Sequence, residues 1–242
     1  MIQVLSKEFN SFLNSLIAYV VIGAFLVAMG LLMWVFPETS VLEYGYADME
    51  TLFTLGPYVL MFLVPAVTMR SFSEENKAGT IELLITKPLT DWQILLGKFF
   101  ACFLLVCCAL IPTVVYYFSL RALGTPPGNI DTPGVIGSYI GLIFLGGVFT
   151  SVGILASSLT RNQIIAFITA AFLCFLLFSG FESAATLNMW SSSSLFIKQL
   201  GLLDHYESMS RGLIDSRDVI FFSSIIALML VLTKTVISSR QW

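Results

Sequence analysis

Long apolar runs alternate along this chain with short polar stretches. A helix that crosses a hydrocarbon core of about 30 Å needs roughly 20 apolar residues, and about 17 at the least. Because a bilayer offers no partner to an exposed backbone group, each such run predicts a membrane-spanning helix. The pattern therefore predicts one all-α integral membrane domain over residues 1–242, with six spans at 16–36, 52–69, 99–120, 134–159, 164–181 and 219–236.

Residues 1–15 have a different pattern, with apolar and polar positions on opposite sides of a helix. The apolar positions recur at three- and four-residue steps and are Ile2, Leu5, Phe9, Phe12, Leu13 and Leu16. This spacing predicts an amphipathic helix that lies in the membrane interface before the first span. A frayed terminus is the alternative. The first span is too long for the apolar core of a signal peptide, so we expect it to stay in the protein.

Composition narrows the function classes. Hydrophobic residues make up 57% of the chain and charged residues 11%, against roughly 45–50% and about 25% in soluble domains. Secondary transporters and proton pumps place ionisable groups in mid-membrane, and the predicted spans contain none there.

The four cysteines fall within spans without Cys-x-x-Cys spacing, which indicates buried thiols rather than a metal site. His205 has no base or metal partner at useful spacing, so we expect a solvated or capping histidine.

The basic residues predict the orientation. Eight lysines and arginines fall on the side that carries both termini: Lys7, Arg70, Lys77, Lys87, Lys98, Arg161, Lys234 and Arg240. Four fall on the other side: Arg121, Lys198, Arg211 and Arg217. Since cytoplasmic loops are enriched in basic residues, both termini and residues 71–98 are expected in the cytoplasm of a bacterial cell, with the protein in the inner membrane.

The polar stretch 71–98 contains three signals for helix starts. Ser71 and Glu74 have capping-box spacing and predict a short helical turn over 73–77 that Gly79 ends. Thr80 is expected to begin a second short helix, with Ile81, Leu84 and Ile85 on one side, which Pro88 stops. Thr90 and Gln93 repeat the capping-box spacing and predict a third helix from Asp91. A solvated loop without a partner is the alternative.

The stretch RSFSEENKAGTIELLITKPLTDWQILLGKF at residues 70–99 resembles the first cytoplasmic loop of ABC-2 type permeases, the membrane subunits of ATP-driven exporters. The shared features are an acidic pair, a Gly-Thr, a Glu-Leu-Leu run, a proline and a Gly-Lys. In that family the loop carries a coupling helix that contacts the ATPase subunit. The resemblance implies a contact set of Glu74, Glu75, Gly79, Thr80, Glu82, Leu83 and Leu84.

A second stretch, LLDHYESMSRGLIDSRDVIFFSSIIAL at residues 202–228, resembles the segment before the last span in gliding-motility permeases of the GldF type and in related copper-processing permeases. In ABC-2 permeases short re-entrant helices cap the pore on the outer side. The resemblance therefore implies such helices within the extracytoplasmic segment 182–218. Leu195, Phe196, Ile197, Leu200, Leu202 and Leu203 are its apolar positions.

The sequence contains no Gly-x-x-x-x-Gly-Lys-Ser/Thr run to hold a phosphate, so we expect this chain to be non-catalytic. The resemblance implies ATPase subunits on separate chains, which would hold ATP and Mg²⁺, and a second permease half, of a GldG-like type rather than an identical copy. The expected function is to couple ATP hydrolysis to export or mechanical work in bacterial gliding motility. A structural membrane anchor or scaffold for such a complex is the alternative, and the cargo stays open.

Overall fold

The computed structural model describes residues 1–44, 46–79, 90–125, 128–186, 198–212 and 215–239, and these form helices without a strand. In chain order the helices are α1 (Ile2–Leu13), α2 (Leu16–Trp34), α3 (Val41–Tyr44), α4 (Glu50–Thr68), α5 (Arg70–Ala78), α6 (Asp91–Leu110), α7 (Val114–Leu123), α8 (Thr132–Leu159), α9 (Gln163–Phe175), α10 (Phe181–Thr186), α11 (Leu202–Ser210) and α12 (Ser216–Ser239).

The described residues contain six helices that are long and apolar enough to cross a membrane, which confirms the predicted number. Three of them, α2, α8 and α12, are single helices. The others are α4 continued by α5, α6 continued through a 3-10 turn by α7, and α9 continued through a π-helical segment by α10. The 3-10 turn, Ile111–Thr113, contains Pro112. A proline removes a donor from the helix, which explains the interruption of this span.

Helix α8 lies at the centre of the bundle, where it packs against α4, α5, α6, α9, α11 and α12. Within its most apolar stretch 78% of the residues are buried, against 22% for α2 and for α12, so those two helices lie at the periphery. Small residues of α8 explain the close packing. A Cβ on Gly147 would lie 3.0 Å from Ile226 of α12, and a Cβ on Gly153 would overlap the side chain of Thr68 in α4.

The two ends of the bundle carry different elements. One end, called here the terminal face, carries α1, α5, the first turns of α6 and the last turn of α12. Ser238 of α12 donates a hydrogen bond to the Asp91 carboxylate at 3.1 Å, so the end of the chain meets the start of α6 there. The other end, called the far face, carries α3, the first turn of α4, α10 and α11.

Helix α11 packs on α8 at two glycines. A Cβ on Gly141 would lie 3.0 Å from the Tyr206 ring, and one on Gly137 would overlap the Met209 carbonyl. Tyr206 donates a hydrogen bond from its hydroxyl to the Phe53 carbonyl of α4 at 2.7 Å. That carbonyl needs an outside donor because its helical partner would be the nitrogen of Pro57, which carries no hydrogen. Among the outer apolar positions named above, Leu195, Phe196 and Ile197 lie outside the described residues.

Candidate coupling site at the terminal face

Helix α5 extends the span α4 beyond the core of the bundle and is held there by α8. The Ser157 hydroxyl of α8 accepts hydrogen bonds from the backbone nitrogens of Phe72 and Ser73, at 2.9 and 3.0 Å, and donates to the Met69 carbonyl at 3.0 Å. Met69 is the residue between α4 and α5. One buried side chain of α8 therefore fixes the junction of the two helices.

The C-terminal end of α8 extends this docking. The Asn76 amide of α5 donates to the carbonyls of Ser158 and Thr160, each at 3.5 Å, and the Asn76 side chain is buried.

Helix α5 ends at Gly79, which has a left-handed backbone with φ of 67°. Only glycine adopts this conformation without strain, and a glycine at this position is a common helix end.

The predicted capping box at the start of the polar stretch is wrong. The Ser71 hydroxyl is buried and contacts the Cys102 sulfur of α6 at 3.3 Å. Glu74 instead forms an ion pair with Arg70 one turn earlier, with 3.0 Å between Oε2 and Nε. The span continues into α5 through Met69, so no new helix begins at Ser71 and its hydroxyl is not needed as a cap.

Lys98 lies at the centre of a buried ionic cluster that joins three helices. Its ammonium nitrogen is 2.8 Å from Glu75 Oε1 of α5, 3.2 Å from Glu8 Oε1 of α1 and 2.7 Å from the Ser71 carbonyl. Only 2% of the Lys98 side chain is exposed, and the nitrogen lies 5.1 Å from the centre of the Phe72 ring. An ammonium group buried this deeply needs such partners, because desolvation of an unpaired charge is costly. We call Lys98, Glu8 and Glu75 the Lys98 cluster.

The residue before Lys98 allows α1 to reach this cluster. A Cβ on Gly97 would lie 2.8 Å from Cγ1 of Val4 and 3.3 Å from the backbone nitrogen of Leu5. Any larger residue would push α1 away from α6. Gly97 and Lys98 thus act together: the glycine provides the space for α1, and the lysine binds the Glu8 carboxylate of that helix.

Comparison with known proteins identifies the family. The model of the family described as ABC-2 family transporter protein matches residues 48–239, which is most of the chain. This chain belongs to the ABC-2 transporter family. It is therefore a multi-pass membrane protein and a permease subunit of an ABC transporter, not itself catalytic. A search of the curated proteins found no significant match.

The structure describes three of the seven predicted contact residues of this ABC-2 permease. Glu74 is half exposed, at 50% of its side chain, and no described residue lies within 4 Å of the place that a Cβ on Gly79 would take. Glu75 differs from the expectation of a partner contact, since only 15% of its side chain is exposed and its carboxylate faces Lys98. The other four, Thr80, Glu82, Leu83 and Leu84, lie outside the described residues, as does the predicted second short helix.

Three residues of the terminal face were missed by sequence reasoning: Lys98, Glu8 and Ser157. A signal for Lys98 was present. Thr90 and Gln93 form the predicted capping box, with Thr90 as N-cap, so α6 begins at Asp91 and Lys98 lies two turns inside an apolar helix. A lysine at that depth requires a carboxylate partner. Ser157 gave no comparable signal, because serine is common at helix contacts in membranes.

At the far face the expectation for His205 is wrong. Its Nδ1 lies 2.7 Å from the Asp218 carboxylate of α12, its Nε2 lies 2.9 Å from the Gln199 carbonyl, and its ring stacks on Phe221. Both ring nitrogens of His205 therefore have an oxygen partner within hydrogen-bond distance. Asp218 is 13 residues away in sequence, at the start of the next helix, which is why local spacing did not reveal it. The described residues contain no group of three potential metal ligands here or elsewhere.

Proposed function

We propose that the terminal face docks a separate ATPase subunit in the cytoplasm and that α5 passes the motion of that subunit to the spans. The observation that carries this proposal is the Lys98 cluster together with the Ser157 hydrogen bonds. Through them α5 is bonded to α1, α6 and α8 at once. A force on α5 is thereby distributed over three other helices instead of being absorbed by a flexible loop.

Two roles follow for the contact set. The proposed contact surface consists of Glu74, Gly79, Thr80, Glu82, Leu83 and Leu84, and the exposure of Glu74 and the lack of a described neighbour at the Cβ position of Gly79 support it. Glu75 is a positioning residue that acts through Lys98. Such a division resembles other coupled systems, in which exposed groups select the partner and buried pairs fix the geometry.

The energy requirement is modest. To change the spans from a 1:99 to a 99:1 distribution of two arrangements, the ATPase must favour one of them by about 5.5 kcal/mol. In this proposal ATP and Mg²⁺ belong to the partner chain, and the permease contributes only contacts that differ between the two arrangements. A second permease half completes the transport unit.

Site-specific cross-linking tests the docking proposal. A photoreactive amino acid replaces Glu74 in the full chain in its native membrane, and mass spectrometry identifies the adducts. We expect an ABC ATPase at this position. The matched control places the same group at Glu43, an exposed acid of α3 at the far face, where no ATPase adduct is expected. ATPase adducts at Glu43 but not at Glu74 would show that the ATPase docks at the far face instead of the terminal face, which is the reverse of the proposed orientation.

Two glutamine variants separate docking from transmission. Glu74→Gln should weaken assembly with the ATPase, whereas Glu75→Gln should leave assembly intact and lower the ATPase activity of the assembled complex. A permease that served only as an anchor or scaffold would leave that activity unchanged in both variants. This outcome would support the scaffold alternative.

The process served by the complex is proposed from the resemblance of residues 202–228 to gliding-motility permeases, in which the second half is GldG-like. Loss of the gene should then stop cells from spreading on agar, and reintroduction of the wild-type gene should restore spreading. Normal spreading of the disrupted strain would remove the gliding assignment and leave the coupling proposal untouched. Co-purification from the native membrane would identify the second half.

A further inference from the structure

A cavity of about 610 Å³ opens at the far face, between the first turns of α4, the start of α8 and helix α11. Its size lies within the range of roughly 300–1,000 Å³ that is typical of small-molecule sites. It is distant from the Lys98 cluster and shares no residue with it. No role assigned above uses it.

The inner wall of the cavity is aromatic and has a fixed shape. Tyr58 meets Phe178 edge to face with 5.5 Å between ring centres, and Phe178 meets Tyr206 at 6.3 Å. Phe178 and Tyr206 are buried, and the Tyr206 hydroxyl is held by the Phe53 carbonyl. Burial also raises the pKa of the Tyr206 phenol, so the group stays a neutral donor. The wall therefore exists before any ligand arrives.

The rim of the cavity is strongly acidic. Five carboxylates line it, and Arg211 is the only basic residue among the described lining residues, which gives a formal excess of four negative charges. The five are Asp48, Glu50, Asp131, Glu182 and Glu207. Asp48 and Asp131 accept backbone hydrogen bonds from Glu50 and Gly134. No ion pair joins any of the five to another residue in the described part of the chain.

Aromatic rings and carboxylates attract the same kind of ligand. The face of an aromatic ring carries negative charge and attracts organic cations, while its carbon surface favours an apolar body. A bare metal ion does not need an aromatic wall, and an anion would be repelled by the carboxylates of the rim. We propose that this cavity is a binding site for an organic cation with an apolar or aromatic body. The site stands apart from the coupling proposal, because binding requires no ATPase.

Two probes of the same shape and opposite charge test this site. The purified full chain in a neutral detergent is equilibrated with tetraphenylphosphonium or with tetraphenylborate, and bound probe is measured by equilibrium dialysis against empty micelles. We expect saturable binding of the phosphonium and none of the borate. Added salt should weaken the binding, because exposed charges are screened. Equal binding of both probes, or no saturable phosphonium binding, overturns the proposal.

Variants of the lining residues test whether the phosphonium binds in this cavity. The double variant Glu182→Gln with Glu207→Gln should weaken phosphonium binding at least about tenfold, since two attractive charges a few ångströms from the ligand are removed. Glu43→Gln, which removes an acid of the same face outside the cavity, should leave the affinity unchanged. Unchanged binding in a double variant that elutes as a single folded species would place the cation elsewhere and refute the site. The probe comparison on the native chain tests the proposal independently of variant folding.

Discussion

The charged side chains at the two faces of this permease have opposite environments. At the terminal face Lys98 is almost fully buried and bonded to Glu8, Glu75 and a carbonyl. At the cavity rim of the far face, acidic side chains gather around the opening without an ion pair to a described residue. Paired buried charges hold helices in one arrangement, whereas unpaired charges at a cavity are left for a ligand. The comparison separates a buried cluster that fixes three helices from an open acidic rim that is free to bind a ligand.

The largest effect is expected when the Lys98 cluster loses its cation. Lys98→Met leaves two carboxylates, each more than four-fifths buried, without their ammonium partner, and removal of one member of a buried pair costs about 3–5 kcal/mol. Thermal unfolding of the purified protein measures this loss. Lys77→Met, which removes an exposed lysine of the same face, is the control. The triple variant with Glu8→Gln and Glu75→Gln should recover much of the stability, and a triple variant as weak as Lys98→Met would contradict an electrostatic cause.

A smaller effect is expected when α1 is pushed from α6. In Gly97→Ala the new Cβ overlaps Val4 and approaches the Leu5 backbone, and such overpacking costs about 1–3 kcal/mol. Gly23→Ala is the matched control, because a Cβ there meets no described residue within 4 Å.

The helix preference of alanine over glycine, about 0.5–1 kcal/mol, should make the Gly23 variant slightly more stable. Limited proteolysis near residue 15 should also become faster in Gly97→Ala. Equal stability of the two variants would show that α1 moves freely.

The far face has a buried contact of its own, between His205 and Asp218. His205→Ala leaves the Asp218 carboxylate, of which 7% is exposed, without its described partner, at a cost of about 1–3 kcal/mol. Chemical or thermal unfolding measures it. Adding Asp218→Asn should recover part of the loss, because a neutral amide is less costly to bury than a carboxylate.

The control for this contact is Asp204→Asn, which removes the exposed pair with Lys198 at 3.8 Å and should cost less than about 1 kcal/mol. A larger loss from Asp204→Asn than from His205→Ala would reverse the assignment of the structural pair.

The smallest effect is expected at the cavity rim. Glu207→Gln removes a carboxylate that forms no ion pair with a described residue, so stability should stay within about 0.5 kcal/mol of wild type. An unfolding curve that shifts upward would agree with relief of repulsion among the rim carboxylates. A large loss would show that Glu207 supports the fold, and the contrast between the two faces would disappear.

The membrane fold could largely be predicted from the sequence, because each span is a run of consecutive residues. The six apolar runs, Gly79 as a helix end and the Thr90–Gln93 capping box are all local signals, and the structure confirms them. The wrong capping-box prediction involves a distant partner, because Ser71 has capping-box spacing but contacts Cys102, 31 residues away. The Glu75 carboxylate likewise faces a distant residue, Lys98, 23 residues away.

The site itself was only partly predictable for the same reason. The resemblance directed attention to residues 70–99, yet the Ser157 hydrogen bonds to α5 cross more than 80 residues of sequence. The far-face cavity combines side chains from Asp48 to Arg211. Which residues meet there depends on how α11 is seated on the glycines of α8, and neither apolar periodicity nor capping patterns encode that contact.

Helices α4 and α5 run as one stretch of 29 residues, from Glu50 at the cavity rim to Ala78 at the terminal face. At 1.5 Å per residue this lever is about 43 Å long. Thermodynamic reciprocity then applies: an occupant that shifts one end must change nucleotide-dependent docking at the other by the same factor by which docking changes the occupant's affinity. In the proposed orientation, a cation bound at the far face and a nucleotide bound by the ATPase at the terminal face would thus change each other's affinity through a single continuous helix.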